Sequence, residues 1–323
     1  MSEPNASILL TGGAGYIGAA TADALINAGM RVIILDDLSS GHADTIPNEA
    51  SFKTGSYGEG AKVEELLRDA RIDAIVHCGA KSIVSESAEH PERYFANNVT
   101  ASLNLLDAAV HVGVKAFIFS SSAAVYGSPT SSTISESTPL NPVNPYGATK
   151  VAFEGALRSY AEAHEMRAIS LRYFNVGGST ERVRERHNPE THLLPRLIHA
   201  AQHGEPFEMY GNDYATPDGS ALRDYVHVAD VAAANLAAVN LLLNEGAAAG
   251  HTAVNIGSGV GTSVKQAISA VERATRRSVA LEVHPRRAGD PPRLIADITR
   301  AVSLLNWRPR QSETSRIIRS MID

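Results

Sequence analysis

The chain has 323 residues, 44% hydrophobic and 20% charged, and carries a formal charge of −6 at pH 7. That length suits two domains or one large one with a substantial core, in a composition ordinary for soluble globular proteins. The acidic balance offers no basic footprint for nucleic acid, and no run of 18 apolar residues is available to cross a membrane. The single cysteine, Cys78, cannot close an internal disulfide, and MSEPNASILL lacks a basic segment ahead of a long apolar run, so a cytoplasmic protein without signal peptide is expected.

Ser7 to Leu10 reads as a first strand, Tyr16 to Ala28 as a helix stopped by Gly29, and Arg31 to Leu35 as a continuously apolar strand buried on both faces. Between the first strand and helix lies Thr11-Gly12-Gly13-Ala14-Gly15-Tyr16-Ile17-Gly18. Glycines at 12, 15 and 18 permit a tight turn, close approach of backbone amides to a pyrophosphate, and close helix–strand packing. The helix N-terminus favours the phosphate charge. A glycine cluster alone is weak evidence, but a strand before it and a helix after it point to a dinucleotide. Asp36 follows Gly18 by 18 residues at the end of the second strand. A carboxylate there accepts from ribose hydroxyls and repels a 2′-phosphate, which favours NAD over NADP; Asp37 could share the role.

The alternation continues with a helix at 61–70, a strand at 74–77, a long helix from Pro91 to near Gly113 and a strand at 116–120 that runs into Ser120-Ser121-Ser122. Pro145 opens a helix carrying Tyr146 and Lys150, and Ala168 to Tyr173 forms another strand. Such alternation means parallel strands with right-handed crossovers, an α/β doubly wound sheet of Rossmann type. Tyr146 and Lys150 stand one helical turn apart on the same face. A tyrosine base near neutral pH needs its phenolate stabilised by about 4 kcal/mol, which a neighbouring lysine can supply, and Ser122 can complete a proton path. Taken alone, such a pair is more often an exposed helix pair than a catalytic one.

After Asn175 the chain turns rich in Gly, Pro, Asn, Thr and charge. A helix is predicted near 194–203, strand and helix signals at 224–244 and 253–256, a helix at 263–275, a strand at 279–283, and a last helix at 299–306. Residues 1–176 are expected to form the dinucleotide-binding domain, with returning segments near 224–257, and 177–323 mainly a smaller substrate domain. The histidines lack metal-ligand spacing, so no metal is expected.

Together these runs resemble the extended short-chain dehydrogenase/reductase superfamily and, within it, the UDP-glucose 4-epimerase family. The markers are TGGAGYIG at 11–18, LDDLSSG at 35–41, NNV at 97–99, FSSSAAVYG at 119–127, NPYGATK at 144–150, LRYFNVGG at 171–178, GNDYATPDGSALRDYVHV at 211–228 and RRAGD at 286–290. The resemblance implies redox-neutral inversion at C4 of a UDP-hexose through a 4-keto sugar, with NAD retained. It makes Tyr146 the base, Lys150 its tuning partner and holder of the nicotinamide ribose, and Ser122 the partner of the sugar O4. Tyr16 and Ile17 would lie over the pyrophosphate, with Lys81 and Asn98 on the cofactor. Asn175 would touch the sugar nucleotide, Arg223 and Arg287 its diphosphate, and Tyr225 and Asp290 the nucleoside side. Guanidinium groups suit phosphate because they donate two bonds in one plane.

Dehydrating relatives carry an Asp-Glu pair where this chain has Ser122-Ala123, so plain epimerisation is favoured. Ser56 stands where the family commonly has an adenine-binding aspartate, and His192 where it often has asparagine ahead of Leu-Pro. Leu294 occupies the position whose size gates the sugar pocket, which leaves UDP-glucuronate, UDP-pentoses and UDP-N-acetylglucosamine as alternative substrates. A non-enzymatic dinucleotide sensor is disfavoured because Tyr146 and Lys150 are both present. The resemblance also implies a homodimer through helices 91–112 and 145–163.

Overall fold

The computed structural model describes residues 5–187, 189–244, 246–287 and 290–322; Ala288 and Gly289 of the RRAGD run lie outside them. In chain order the first elements are β1 Asn5–Thr11, α1 Tyr16–Asn27, β2 Met30–Asp36, β3 Ser51–Thr54, α2 Gly60–Asp69 and β4 Ala74–His77. Next come α3 Val84–Glu89, α4 Pro91–Phe95, α5 Ala101–Val112, β5 Ala116–Ser122, α6 Pro145–Ala163, β6 Arg167–Tyr173 and β7 Asn175–Gly177. They are followed by α7 Leu193–His203, β8 Phe207–Tyr210, β9 Leu222–His227, α8 Val228–Leu243, β10 Gly250–Ile256 and β11 Gly261–Ser263. The chain closes with α9 Val264–Thr275, β12 Leu281–His284, β13 Arg293–Leu294, α10 Thr299–Leu305 and α11 Thr314–Ile322.

Seven parallel strands make the main sheet, in the order β10-β6-β5-β4-β1-β2-β3. The strands are apolar on both faces because helices cover both. Ile8, Leu10, Val32, Ile34, Val76 and Ile118 face the layer of α1, α8 and α10. Their neighbours Leu9, Ile33, Leu35, Ile75, Phe117 and Phe119 face α2, α5 and α6. Strand order runs outward in opposite directions from β1 and β4, so a crevice opens beyond their carboxyl ends. The glycine turn 12–18 follows β1, Asp36 ends β2, Ser56 follows β3 and Lys81 follows β4, all at those carboxyl ends.

The stretch 224–257 divides between two sheets. Helix α8 and strand β10 pack on or join the main sheet. Strand β9 instead centres a second sheet, flanked by β11, β7 and β13. A third apolar cluster, built from α7, α9 and α11, supports that side. Helix α10 and Trp307 return to the main sheet's cluster.

Two predicted helices come out differently. The run from Pro91 to Gly113 holds a π turn at Ala96–Thr100 between α4 and α5. A π turn widens the helix by one residue and is common at functional sites. The helix at 299–305 is not the last, since α11 follows it and buries Ile317 and Ile318. Its two turns are too short for periodicity to stand out from a polar tail.

Candidate active site

The glycine turn is built for close approach. Gly12 takes φ +69°, and a Cβ there would lie 2.5 Å from the Gly79 nitrogen. A Cβ on Gly18 would lie 2.1 Å from the Gly12 carbonyl oxygen, so α1 can start against β1 only with glycine at 18. At Gly15, the N-cap, the nearest protein atom to an added Cβ is at 3.4 Å, and no side chain caps the helix. The amides at the start of α1, including those of Tyr16 and Ile17, therefore have no intrahelical acceptor and suit an anion. The Tyr16 hydroxyl donates to the Gly178 carbonyl at 2.5 Å, tying this turn to the segment after β7. Burial, then the charges of Glu185 and Glu190, hold the Tyr16 phenol well above its usual range.

Asp36 is buried, accepting from the amides of Ala14 at 2.9 Å and Leu38 at 2.8 Å. Burial raises its pKa and those two amides oppose the rise. Each carboxylate oxygen keeps acceptor capacity for a ribose hydroxyl. Ser56 accepts from the Gly58 amide at 3.1 Å, shaping the turn after β3. These residues fit a dinucleotide: a cradle that a Cβ would close, an uncapped helix start and a carboxylate at the end of β2.

Asn98 sits in the π turn, 2% exposed, and its amide is engaged by protein. It accepts from the Lys81 amide at 2.8 Å and donates to the Lys81 carbonyl at 2.9 Å and to Thr149 at 3.2 Å. Asn98 thus joins the loop after β4 to α6, one residue before Lys150, and it does so through the Lys81 backbone. Tyr57 was not singled out by the sequence; its hydroxyl donates to the Asn97 carbonyl at 3.0 Å and accepts from the Asn97 side-chain amide at 2.8 Å.

Three consecutive serines at the end of β5 meet three residues of α6. The Lys150 ammonium donates to the Ser120 carbonyl at 2.8 Å. Ser121 donates to Glu154 at 2.5 Å. The Ser122 hydroxyl lies near enough to the Tyr146 phenol to act on its ionisation, and it accepts from the Ala124 amide at 3.2 Å. Glu154 and Arg172 form a buried ion pair behind this junction, with contacts of 3.0 and 2.6 Å. The predicted trio of Tyr146, Lys150 and Ser122 is therefore brought together.

The electrostatics depart from the expectation. Burial pushes the Tyr146 phenol above its usual range, and the Ser122 hydroxyl pulls the other way. Lys150 has its amine 5.7 Å from the Tyr146 ring centre and spends its bond on the Ser120 carbonyl. The expected lowering is not supplied by this pair alone. Burial pushes Lys150 down to about 8, against the charges of Cys78 and Glu154 that favour its protonated form.

The remaining predicted residues gather around β9. Arg223 pairs with Asp290 at 2.5 Å and donates to the carbonyls of Leu222 and Pro291. Leu294 stands opposite Arg223 across β9–β13, half-buried among Phe174, Ile134 and Ala296. Asn175 stands opposite the buried Tyr225 across β7–β9. The Arg287 guanidinium stacks 3.9 Å from the Tyr210 ring centre. His192 is the N-cap of α7 and faces Glu190 at 2.8 Å. Sequence reasoning missed Asp224 between Arg223 and Tyr225. Its buried carboxylate takes the amides of Ser258, Gly259 and Ala296 and so ties β9 to the turn after β10 and to the segment after β13.

Residues 8–257 match the NAD dependent epimerase/dehydratase family. The chain is 41% identical to a UDP-glucose 4-epimerase of Corynebacterium glutamicum over 96% of its own length and 93% of the relative's. It superposes on the UDP-glucose 4-epimerase of Brucella ovis in complex with NAD with TM-score 0.93 and 40% identity, covering 98% and 97% of the two chains. The UDP-Glc/GlcNAc 4-epimerase of Campylobacter jejuni is similar with TM-score 0.87 and 35% identity over 99% and 98%.

Proposed function

We infer that this chain, which belongs to the NAD dependent epimerase/dehydratase family, is an NAD-dependent enzyme that inverts C4 of a UDP-hexose, interconverting UDP-galactose and UDP-glucose. The observation that carries this reading is the β5–α6 junction, where the Tyr146 phenol meets Ser122 while Lys150 holds the neighbouring carbonyl. Held by the glycine turn and Asp36, NAD would supply reversible hydride acceptance at the sugar C4. Tyr146 takes the C4 hydroxyl proton, directly or through Ser122, and gives it back after the sugar has turned its other face. Burial favours the neutral phenol, so the reaction depends on positive charge nearby; Lys150, charged below about pH 8, supplies a fixed part of it. Ala123 has no proton to give or take beside Ser122, which argues against loss of water and for epimerisation.

Asp36, Ser56, Lys81 and the glycine turn serve the cofactor in this account, and Asn98 positions both the 81 loop and α6. Arg223 and Arg287 bind the diphosphate, with Arg223 exchanging part of its hold on Asp290 for phosphate oxygens. Asn175, Tyr225 and Leu294 line the sugar-nucleotide side, and His192 caps α7 next to it. Residues 1–176 with the returning α8 and β10 act as the NAD-binding domain, and most of 177–323 as the substrate domain. A homodimer through the helices at 91–112 and 145–163 is part of the proposal, supported by Phe95, 42% exposed on the first of them. The lone cysteine fits a reducing cytoplasm.

The test is conversion of UDP-galactose labelled with deuterium at C4. The account expects UDP-glucose that keeps the label, because the hydride leaves and returns within one active site. Label lost to solvent would overturn the hydride route, and no conversion even with added NAD would overturn the substrate.

A further inference from the structure

We propose that Glu185, His187 and His192 form a binding site for a divalent transition-metal ion of the zinc class. Each offers one ligand atom, and these atoms all lie within 4.8 Å of one another. Ligand bonds of about 2.0–2.1 Å place tetrahedral donors roughly 3.3 Å apart, so each side chain needs to shift by under about 1 Å. Two imidazoles and one carboxylate make a set that zinc accepts, with a fourth position left for water. The imidazole rings already face the same space, their centres 5.0 Å apart and their planes 52° from each other.

A second observation lies behind the ligands. Glu190 is 2.8 Å from His192 Nδ1 and accepts the His192 amide at 2.7 Å through the same oxygen. A carboxylate on Nδ1 fixes the proton there and leaves Nε2 as the free lone pair. That is the outer-shell arrangement that orients metal-binding histidines and raises their basicity. Glu185 contacts His187 Nδ1, and its side chain is only 9% exposed, so this carboxylate needs a cationic partner. Two ordinary His–Glu pairs would satisfy these charges separately, but they do not require the two pairs to converge on one point.

The site's position gives the ion structural consequence. His187 Nε2 is 3.4 Å from the Ser82 hydroxyl, beside Lys81, and the charges of Glu185 and Glu190 act on Tyr16 at the start of α1. A bound ion would fasten the segment between β7 and α7 where it passes over the nucleotide crevice.

The full chain, stripped with a chelator, is dialysed to equilibrium against zinc alone, and separately titrated with cobalt(II) and followed by visible absorption. The proposal expects one zinc per chain and an intense cobalt band of four- or five-coordinate type. Glu185→Gln and His187→Ala should each weaken uptake at least about tenfold, and Glu190→Gln by about tenfold through the outer shell. The His199→Ala/His203→Ala protein, which removes a stacked histidine pair on α7, should bind zinc like the parent. Absence of stoichiometric zinc in the parent would overturn the site. So would uptake that survives Glu185→Gln and His187→Ala, or that vanishes with His199 and His203. Turnover plays no part in the readout, so the result stands apart from the epimerase reading.

Discussion

Replacing Glu154 by Gln perturbs the site from behind, and its cost can be worked from the structure. The Glu154 and Arg172 side chains are 0% and 3% exposed, so neither charge has water to fall back on. Arg172 donates to both carboxylate oxygens, and Ser121 donates to one of them. Glutamine keeps one acceptor and turns an NH2 towards a guanidinium donor, leaving a buried cation without its counter-charge. Removing one partner of a buried pair costs about 3–5 kcal/mol. At about 2 °C per kcal/mol for a chain of this size, the melting temperature should fall by about 6–10 °C. Thermal and urea unfolding at fixed NAD and protein concentration measure it. The double variant Glu154→Leu/Arg172→Met removes both charges and should recover at least half of the loss. A Glu154→Gln protein within about 1 kcal/mol of the parent, or a double variant no better than the single, would refute the reasoning.

Other consequences are as concrete. Gly18→Ala forces a methyl to 2.1 Å from the Gly12 carbonyl. It should cost about 3 kcal/mol or more as overpacking and abolish NAD retention, read by cofactor absorbance after gel filtration; normal retention would refute the cradle. Lys150 is held at about 8 against an ordinary 10.5. Its folded pKa is depressed, so the unfolded chain binds more protons between those values and stability rises with pH across that window. Below it the burial of charge is a constant penalty of about 3 kcal/mol. Lys150→Met should therefore lose turnover yet gain stability on the cofactor-free parent at pH 7, a gain that shrinks towards pH 10; a gap that stays constant with pH would contradict this. Asp36→Asn removes the charge that repels a 2′-phosphate and should raise the NADP-to-NAD affinity ratio about tenfold or more, measured by fluorescence titration, with an unchanged ratio counting against Asp36.

The main sheet was legible because its signals are local. Strands buried on both faces are unbroken apolar runs, Gly29 and Gly113 stop helices with positive φ, and Gly12 to Gly18 fit one turn. The trio Tyr146, Lys150 and Ser122 was legible for the same reason: one helical turn and one strand end. What escaped were couplings between distant residues. Glu154 and Arg172 are 18 apart in sequence, and nothing in either neighbourhood announces a buried pair. The π turn at 96–100 has no marker beyond the adjacent asparagines. Spacing gives the proximity of Lys150 to Tyr146 but not burial, and burial raises the phenol while the nearby Ser122 hydroxyl opposes it. The histidines at 187 and 192 are five apart, a spacing outside helical ligand patterns, yet their ligand atoms lie within 4.8 Å of each other and of Glu185.

The most direct test of the central claim compares the parent with Tyr146→Phe in converting UDP-galactose to UDP-glucose without added NAD. The account predicts turnover by the parent on its retained cofactor and a loss of at least about a hundredfold in the variant, the lower end of what a positioned acid–base group contributes, with NAD still bound. A Tyr146→Phe protein that turns over like the parent would contradict it.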